Sequence, residues 1–315
     1  MPAFPASAAS VGDRLSVQGG QTQHKGNCDG YSYEVWLDNT GGSGSMTLGK
    51  GATFKAEWNA SVNRGNFLAR RGKDFGSTKK ATDYEYIGMD YKANYQQTGS
   101  ASGNSRLCVY GWFQNRGAAG NVPLVEYYII EDWVDWCPDG NGKMVTIDGA
   151  QYKIFQMDHT GPSINSGSET FKQYFSVRQS KRTSGHITVS EHFKAWAQQG
   201  WGIGNLYEVA LNAEGWQSSG VADVTELDVY TDPSKAPGGS GQQQVTQQQG
   251  TTATTQQQGQ GQQGQWTQQG QGQQGQTASG QVLKVGNGNP NQHKGNSDGF
   301  SYEIWLDNTG GSGSM

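Results

Sequence analysis

Alternation of apolar and polar residues dominates the first 230 residues. In residues 31–38, Tyr, Tyr, Val and Leu occupy every second position, which is the period of a half-buried strand. Similar runs occur at 45–48, 51–58, 66–71, 84–95, 106–113, 144–147, 151–159 and 171–179. Gly and Asn separate them at short intervals, whereas residues 11–22 have no clear pattern. The spacing predicts an all-β domain of two packed sheets.

One segment follows the helical period instead, from about 189 to 199. Phe193, Trp196 and Ala197 fall on one face of such a helix, and Ser190 is a suitable N-cap. We therefore expect a single α-helix packed on the sheets.

The predicted strand 123–133, with sequence PLVEYYIIEDW, carries a carboxylate at its centre. Alternation places Glu126 on the same face as Leu124, Tyr128 and Ile130. A carboxylate there must be desolvated, paired or used in chemistry. Glu126 is therefore either a structural residue bonded to neighbouring tyrosines or a reactive group in an aromatic cleft.

A second stretch favours the reactive interpretation. Residues 206–220, LYEVALNAEGWQSSG, place Glu214 late in a strand-like run, before Gly and Trp. Two glutamates on two aromatic strands are the pair that glycoside hydrolysis requires.

These two segments closely resemble the signature motifs of glycoside hydrolase family 11, the small β-jelly-roll endo-xylanases. Further matching motifs follow in the family's order: Gly-Asn-Phe at 65–67, Tyr-Gly-Trp at 110–112, Pro-Ser-Ile at 162–164 and SVRQSKR at 176–182. The resemblance covers roughly residues 20–231. It implies a two-sheet β-jelly-roll sandwich with one helix, and retaining hydrolysis of internal β-1,4 bonds of xylan without a cofactor.

The resemblance also implies the catalytic roles, with Glu126 as the nucleophile and Glu214 as the acid/base. Retaining hydrolysis needs the two carboxyl groups about 5–5.5 Å apart. Hydrogen bonds from tyrosines would keep the nucleophile ionised, and the charge of Glu126 would help Glu214 to hold its proton.

By the same resemblance, eight residues are expected to bind substrate. They are the stacking Trp36, Asn66 beside the acid/base, Tyr110 and Tyr128 around the nucleophile, Gln173, and the tip of the family's thumb hairpin, Pro162, Ser163 and Ile164. For Trp36, Tyr110 and Tyr128, the alternative is an aromatic ring that only packs on the sheet. Residues 156–159, Gln-Met-Asp-His, depart from the Arg/Tyr pattern common before the thumb.

Composition limits the partners and the compartment. Charged residues make up 16% of the chain and the net charge is −4, so nucleic acid and anionic membranes are poor partners. A neutral polysaccharide, xylan or xylo-oligosaccharides, fits better, and we expect a monomer. Met1–Ser10 is not a complete signal peptide. Secretion to the extracellular space is expected from the substrate class and the linker type.

The cysteines and histidines give weaker predictions. Three cysteines allow at most one internal disulfide, between Cys28 and Cys137, and leave Cys108 as a buried thiol. No Cys/His spacing indicates zinc. We expect His186 and His192 at the surface.

Four segments are expected along the chain: a leader over 1–19, a catalytic domain over 20–232, a flexible linker over 233–281 and a truncated second catalytic copy over 282–315. Residues 241–280 contain 19 glutamines and no charged residue. Residues 292–315 repeat residues 23–46 with only three differences. The tail should supply one strand and part of a turn. The presence of a second copy resembles the tandem enzymes of herbivore-gut microbes.

Two other functions remain open. A β-1,4-glucanase on a similar jelly roll would keep both glutamates, but the thumb signature favours xylan. A non-catalytic carbohydrate-binding module would keep the aromatic platform without needing both glutamates.

Overall fold

The computed structural model describes residues 9–19, 22–38, 41–60, 65–114, 124–165 and 167–237, together with four short strands between 284 and 314. It divides into two compact units, Met1–Val245 and Thr246–Met315. The strands of the first unit are β1 (Arg14–Gln18), β2 (Gln23–Cys28), β3 (Tyr31–Leu37), β4 (Ser43–Leu48), β5 (Phe54–Asn59), β6 (Asn66–Asp74), β7 (Gly88–Gln114), β8 (Val125–Val134), β9 (Lys143–Ile147), β10 (Ala150–Pro162), β11 (Ser168–Arg178), β12 (Ser184–Thr188), β13 (Asn205–Leu206) and β14 (Glu208–Tyr230).

Two long strands, β7 and β14, pass through both layers of the fold. The first part of β14, Glu208–Trp216, pairs with β6, and the later part, Ser219–Val224, pairs with β5. Register shifts against β7 fall between Trp216 and Ser218 and between Ser219 and Gly220, where irregular pairing allows a strand to bend. The prediction of an all-β fold with one helix is confirmed. Strand pairing is nevertheless continuous through one curled sheet of fourteen strands among the described residues.

The layers enclose the main hydrophobic core. One layer, called the cleft-bearing layer below, contains β3, β6, β8 and the second part of β7, and its Val35, Val109 and Tyr127 are fully buried in this core. The facing layer contains β4 and β5, and its Met46 and Ala56 are also fully buried there. Trp58 of β5 stacks on Phe67 of β6 with ring centroids 5.9 Å apart. The opposite side chains of the cleft-bearing layer are therefore free to line a site.

The helix α1 (Val189–Gln198) packs on this core. Phe193 meets Phe113 at 5.0 Å between ring centroids, and Trp196 is fully buried. The expected N-cap was wrong: Thr188 precedes the helix, while the Ser190 hydroxyl accepts a hydrogen bond from the Ile87 amide at 3.2 Å. No helix among the described residues is long and apolar enough to cross a bilayer.

Two boundary predictions were wrong. Residues 14–18, assigned to the leader, form β1 and pair with β4, so the sheet begins before residue 20. The alternation of Leu15 and Val17 is the signal that was missed. The run 84–95 becomes a strand only from Gly88, after a short 3-10 turn at Ala81–Asp83.

The disulfide that the sequence left open between Cys28 and Cys137 is not formed, since all three cysteines are free thiols. Cys28 is buried in the main core, whereas Cys137 lines the opposite face of the sheet. Cys108 is fully buried, as expected.

His192 is fully buried rather than at the surface, because it lies on the inner face of α1, and its ring meets Tyr152 at 4.7 Å. His186 is partly buried, and its ring nitrogens lie 2.8 Å from Asp90 Oδ1 and 2.9 Å from the Tyr86 hydroxyl.

The second unit reproduces the pairing of the first four strands. Gln292–Ser297 pairs with Phe300–Trp305 in the register in which β2 pairs with β3, so that Gln292 faces Trp305 as Gln23 faces Trp36. Lys284–Gly286 pairs with Ser312–Ser314, as β1 pairs with β4. Residues 284–314 therefore contain four short strands, more than the one strand expected for this segment. Most of the predicted linker lies outside the described residues.

Candidate active site

A cleft of about 930 Å³ opens on the outer face of the layer formed by β3, β6, the first part of β14, the second part of β7, β8, β11 and β10. The structure brings all ten predicted site residues to this cleft: Trp36, Asn66, Tyr110, Glu126, Tyr128, Pro162, Ser163, Ile164, Gln173 and Glu214. Those within strands share one face because they have the same parity as their cross-strand neighbours, whereas Ser163 and Ile164 lie just beyond the end of β10.

Glu126 lies in the middle of β8 and is only 6% exposed. Pairing places Trp112 of β7 and Gln173 of β11 directly opposite it. The Tyr110 hydroxyl donates to Glu126 Oε1 at 2.6 Å, and Gln173 Nε2 donates to Oε2 at 2.6 Å. Trp112 Nε1 in turn donates to the Tyr110 hydroxyl at 2.9 Å. Both carboxylate oxygens therefore accept a hydrogen bond from a rigid neighbour.

Burial raises the pKa of Glu126 to about 7, although the hydrogen bonds from Tyr110 and Gln173 oppose the shift. The negative charge of Glu214 raises this pKa further. Interacting carboxyl groups release their protons in steps that belong to the pair. The hydrogen bond from Tyr110 favours the ionised form of Glu126, as expected, but desolvation is the larger effect on this pKa.

Glu214 reaches the cleft from β14 and is 4% exposed. It lies opposite Leu68 of β6 and Arg106 of β7. Asn66 Nδ2 lies 3.4 Å and Arg106 Nη2 lies 3.3 Å from Glu214 Oε1. Asn212 Nδ2 lies 3.5 Å from Oε2. Three nitrogen donors thus surround this carboxyl group.

Tyr128 joins the two glutamates along the floor of the cleft. Its ring stacks on Phe175 at 5.2 Å and meets Tyr110 edge-on at 5.2 Å. On its other side, the guanidinium of Arg106 lies 5.1 Å from its ring centroid. The ring is therefore held between the nucleophile candidate and the partner of Glu214.

The thumb residues lie at and just beyond the end of β10. The Ser163 hydroxyl donates to Glu169, and Asn165 Nδ2 donates to the same carboxylate at 2.9 Å. Gln114 Nε2 donates to Asn165 Oδ1 at 3.3 Å, which connects the hairpin to the end of β7. These bonds set the position of Pro162 and Ile164 above the cleft.

Sequence reasoning missed several residues that line the cleft, among them Arg70, Arg106, Trp136 and His159. Arg70 is buried between Glu34 and Glu208, at 2.7 and 2.9 Å. The signal for both arginines was the one used for Glu126, namely a charge in the middle of a strand on the face of aromatic residues. Trp136 and Trp216 meet edge-on at 5.8 Å and form an aromatic wall, and no motif indicated that Trp136 would lie against the Trp that follows Glu214.

Comparison with known proteins gives one family. The model of glycosyl hydrolases family 11 matches residues 28–225. The chain is 73% identical over 307 residues to the bifunctional endo-1,4-beta-xylanase A of Neocallimastix patriciarum, covering 98% of this chain and 47% of that protein. It is 43% identical over 212 residues to an endo-1,4-beta-xylanase A of Thermoclostridium stercorarium, covering 66% of this chain and 30% of that protein. The chain therefore spans less than half the length of these curated relatives.

Solved structures agree with this family. The family 11 xylanase from Neocallimastix patriciarum is 84% identical and superposes with a TM-score of 0.68, covering 69% of this chain and 99% of that one. The wild-type ENZbleach xylanase is 33% identical with a TM-score of 0.59, covering 71% of this chain and 89% of that one.

Proposed function

Because the chain belongs to glycosyl hydrolases family 11, we propose that it is an endo-1,4-β-xylanase that acts by a retaining double displacement. Glu126 is the nucleophile and Glu214 the acid/base. The observation that carries the proposal is the pair itself: two buried glutamates face one cleft, one held by Tyr110 and Gln173 and the other by Arg106 and Asn66. The family membership and the similar xylanases support the substrate.

The first step uses the proton that the pair retains near neutral pH. Glu126 Oε attacks the anomeric carbon while Glu214 protonates the departing glycosidic oxygen, and a glycosyl-enzyme forms. Burial raises the pKa of Glu126 to about 7, and this step requires the form of the pair in which Glu126 is the carboxylate. Tyr110 and Gln173 hold the attacking carboxylate in one orientation.

In the second step, Glu126 is an ester and no longer carries a charge. Water attacks the anomeric carbon, the bond to Glu126 breaks with its electron pair returning to that carboxylate, and Glu214 takes the proton of the water. The chemistry needs only carboxyl groups and water.

Substrate binding follows from the cleft walls. Trp36 supplies an apolar ring face for a sugar on the glycone side, and Trp136 with Trp216 supplies a further aromatic wall. Pro162, Ser163 and Ile164 cover the chain from the thumb side. A polysaccharide with ring faces and hydroxyl groups fits such a lining.

Reducing-sugar release from xylan, compared with carboxymethyl-cellulose and mixed-linkage β-glucan, tests the function directly. We expect rapid release of xylo-oligosaccharides and little release from the glucans. Comparable rates on a glucan would favour the glucanase, and binding without release would favour a carbohydrate-binding module.

We also propose a tandem arrangement, in which residues 233–281 are a linker and residues 282–315 begin a second copy of the domain. The support is the near-identical sequence together with the shared strand register. Truncation after Asp232 should leave xylanase activity and Tm unchanged, whereas a loss of either would refute a passive tail. We propose secretion on the ground that xylan is a polymer outside cells.

A further inference from the structure

Among the described residues, Arg106 is the side chain that carries a fixed positive charge beside Glu214. Its side chain is only 11% exposed and its Nη2 lies 3.3 Å from Glu214 Oε1. The guanidinium also lies over the ring of Tyr128. Its Nε is buried and has no hydrogen-bond partner among the described residues. The guanidinium of Arg106 therefore pairs with one carboxylate, that of Glu214. Packing on the ring of Tyr128 fixes its position.

A second buried arginine on the same floor gives the comparison. Arg70 lies over the ring of Tyr110 at 4.9 Å, as Arg106 lies over that of Tyr128. Arg70, however, is shared by two carboxylates, those of Glu34, which lines the cleft, and Glu208. Arg106 has a single carboxylate partner within salt-bridge distance among the described residues. Arg106 therefore neutralises one charge, and that charge belongs to the proposed acid/base.

Among the described residues that face this ion pair, Glu126 is the carboxyl group whose titration is coupled to that of the pair. Burial raises the pKa of the Cys108 thiol, which lies beside Arg106 on β7, and raises the pKa of Cys137 to about 12. Burial likewise raises the pKa of Tyr128 and lowers the pKa of His159, which faces the pair from β10. The two thiols and the tyrosine hydroxyl therefore stay neutral at mildly acidic and neutral pH, and burial favours the neutral form of His159. The remaining neighbours, Asn66 and Asn212, are amides.

We propose that Arg106 is a positioning residue for the second half of the reaction, which holds Glu214 as a carboxylate while it acts as the general base on the glycosyl-enzyme. The inference rests on the retaining mechanism proposed above. Once Glu126 is esterified, a lone carboxylate at Glu214 would be a buried charge without a counter-ion, which is costly. With Arg106 in place, the base form of Glu214 is one half of an ion pair.

The same contact has the opposite consequence in the first step. There Glu214 must donate a proton, and a guanidinium beside a carboxyl group favours loss of that proton. Arg106 should therefore assist deglycosylation while lowering the pH at which glycosylation begins to fail. A purely structural role would slow both steps together.

Arg106→Gln separates the two steps. With 2,4-dinitrophenyl β-xylobioside, whose leaving group needs no acid, kcat reports deglycosylation and kcat/KM reports glycosylation. We expect kcat at pH 6 to fall about tenfold while kcat/KM changes by less than about threefold. Glycosyl-enzyme should accumulate in the intact-protein mass spectrum. With xylohexaose, the alkaline limb of kcat/KM should move up by about one pH unit, at the lower end of the effect of an adjacent opposite charge.

Two further variants make the test specific. Arg106→Lys keeps the charge and should return kcat to within a few-fold of wild type. Arg14→Gln removes an arginine from an exposed ion pair with Glu57 and should leave both profiles unchanged. If Arg106→Gln does not fold, Arg106→Met, which retains apolar packing on Tyr128, carries the same measurements.

The proposal is overturned if kcat and kcat/KM fall by the same factor in the Gln and Lys variants, or if the alkaline limb does not move. A different result would refute the retaining mechanism itself: wild-type enzyme that forms no covalent intermediate, or a first product of inverted configuration. The two failures are therefore distinguishable.

Discussion

His192 should make the folded domain sensitive to acid. His192 lies on the inner face of α1 and its ring is fully buried. Neither ring nitrogen has a hydrogen-bond partner among the described residues. Burial, reinforced by the positive charges of Arg182 and Arg178, lowers the pKa of His192 from its ordinary value of 6.5 to about 3. The folded state therefore keeps this ring neutral at pH values where the unfolded chain is protonated.

The sign and size of the effect follow from that difference. Between about pH 6.5 and pH 3 the unfolded state binds one more proton at His192 than the folded state, so the free energy of unfolding falls as the pH falls. Each unit of difference corresponds to about 1.4 kcal/mol. Acidification from pH 7.5 to pH 4.5 should thus cost about 2.5 kcal/mol through this residue alone. Above pH 6.5 the penalty is absent.

The perturbation is His192→Phe, which keeps an aromatic ring against Tyr152, with His192→Leu as a smaller alternative. The assay is urea unfolding at pH 7.5 and 4.5, followed by tryptophan fluorescence. Whatever the change in stability at pH 7.5, the variant should lose about 2.5 kcal/mol less than wild type on acidification. The matched control is Lys194→Gln, which removes an exposed ion pair with Glu191 on the same helix and should keep the wild-type pH dependence. Equal losses in His192→Phe and wild type would refute the reasoning.

Three further predictions concern the cleft. Asn66→Asp places a carboxyl group at the position that now lies 3.4 Å from Glu214 and should move the pH–rate profile about one unit to the acid side. An unchanged profile would show that residue 66 does not influence the titration of Glu214. Tyr110→Phe removes the 2.6 Å donor to Glu126, which raises the pKa of Glu126 above about 7, so the acid limb should move to higher pH. A limb at the wild-type position would contradict this. Glu214→Ala should still cleave dinitrophenyl β-xylobioside, and added azide should yield the β-azide. An α-azide product would instead show that Glu214 is the nucleophile and Glu126 the acid/base.

The residues of the candidate site were predicted from the sequence more accurately than the boundaries of the strands and of the helix. Glu126 and Glu214 could be found because a carboxylate on an apolar strand face is costly unless it is used. Strand parity placed Tyr128 on the same face as Glu126, whereas Tyr110 and Gln173 were expected from the family resemblance.

The errors have physical causes as well. β1 was missed because it is only five residues long, so the alternation of Leu15 and Val17 with exposed Arg14 and Ser16 covers too few periods to stand out. His192 was assigned to the surface because histidine is polar, but its place on the inner face of α1 decides its burial. Arg106 was overlooked because its partner, Glu214, is 108 positions away in sequence, so only the register of β7 with β14 reveals the pair.

One measurement tests the central claim most directly. The chain should be incubated with 2,4-dinitrophenyl 2-deoxy-2-fluoro-β-xylobioside, which slows deglycosylation more than glycosylation and so traps a covalent intermediate. Intact-protein mass spectrometry should show one added 2-deoxy-2-fluoroxylobiosyl group per chain. Tandem mass spectrometry should place this group on Glu126. Label on Glu214 or on another residue, or inactivation without any label, would contradict the account.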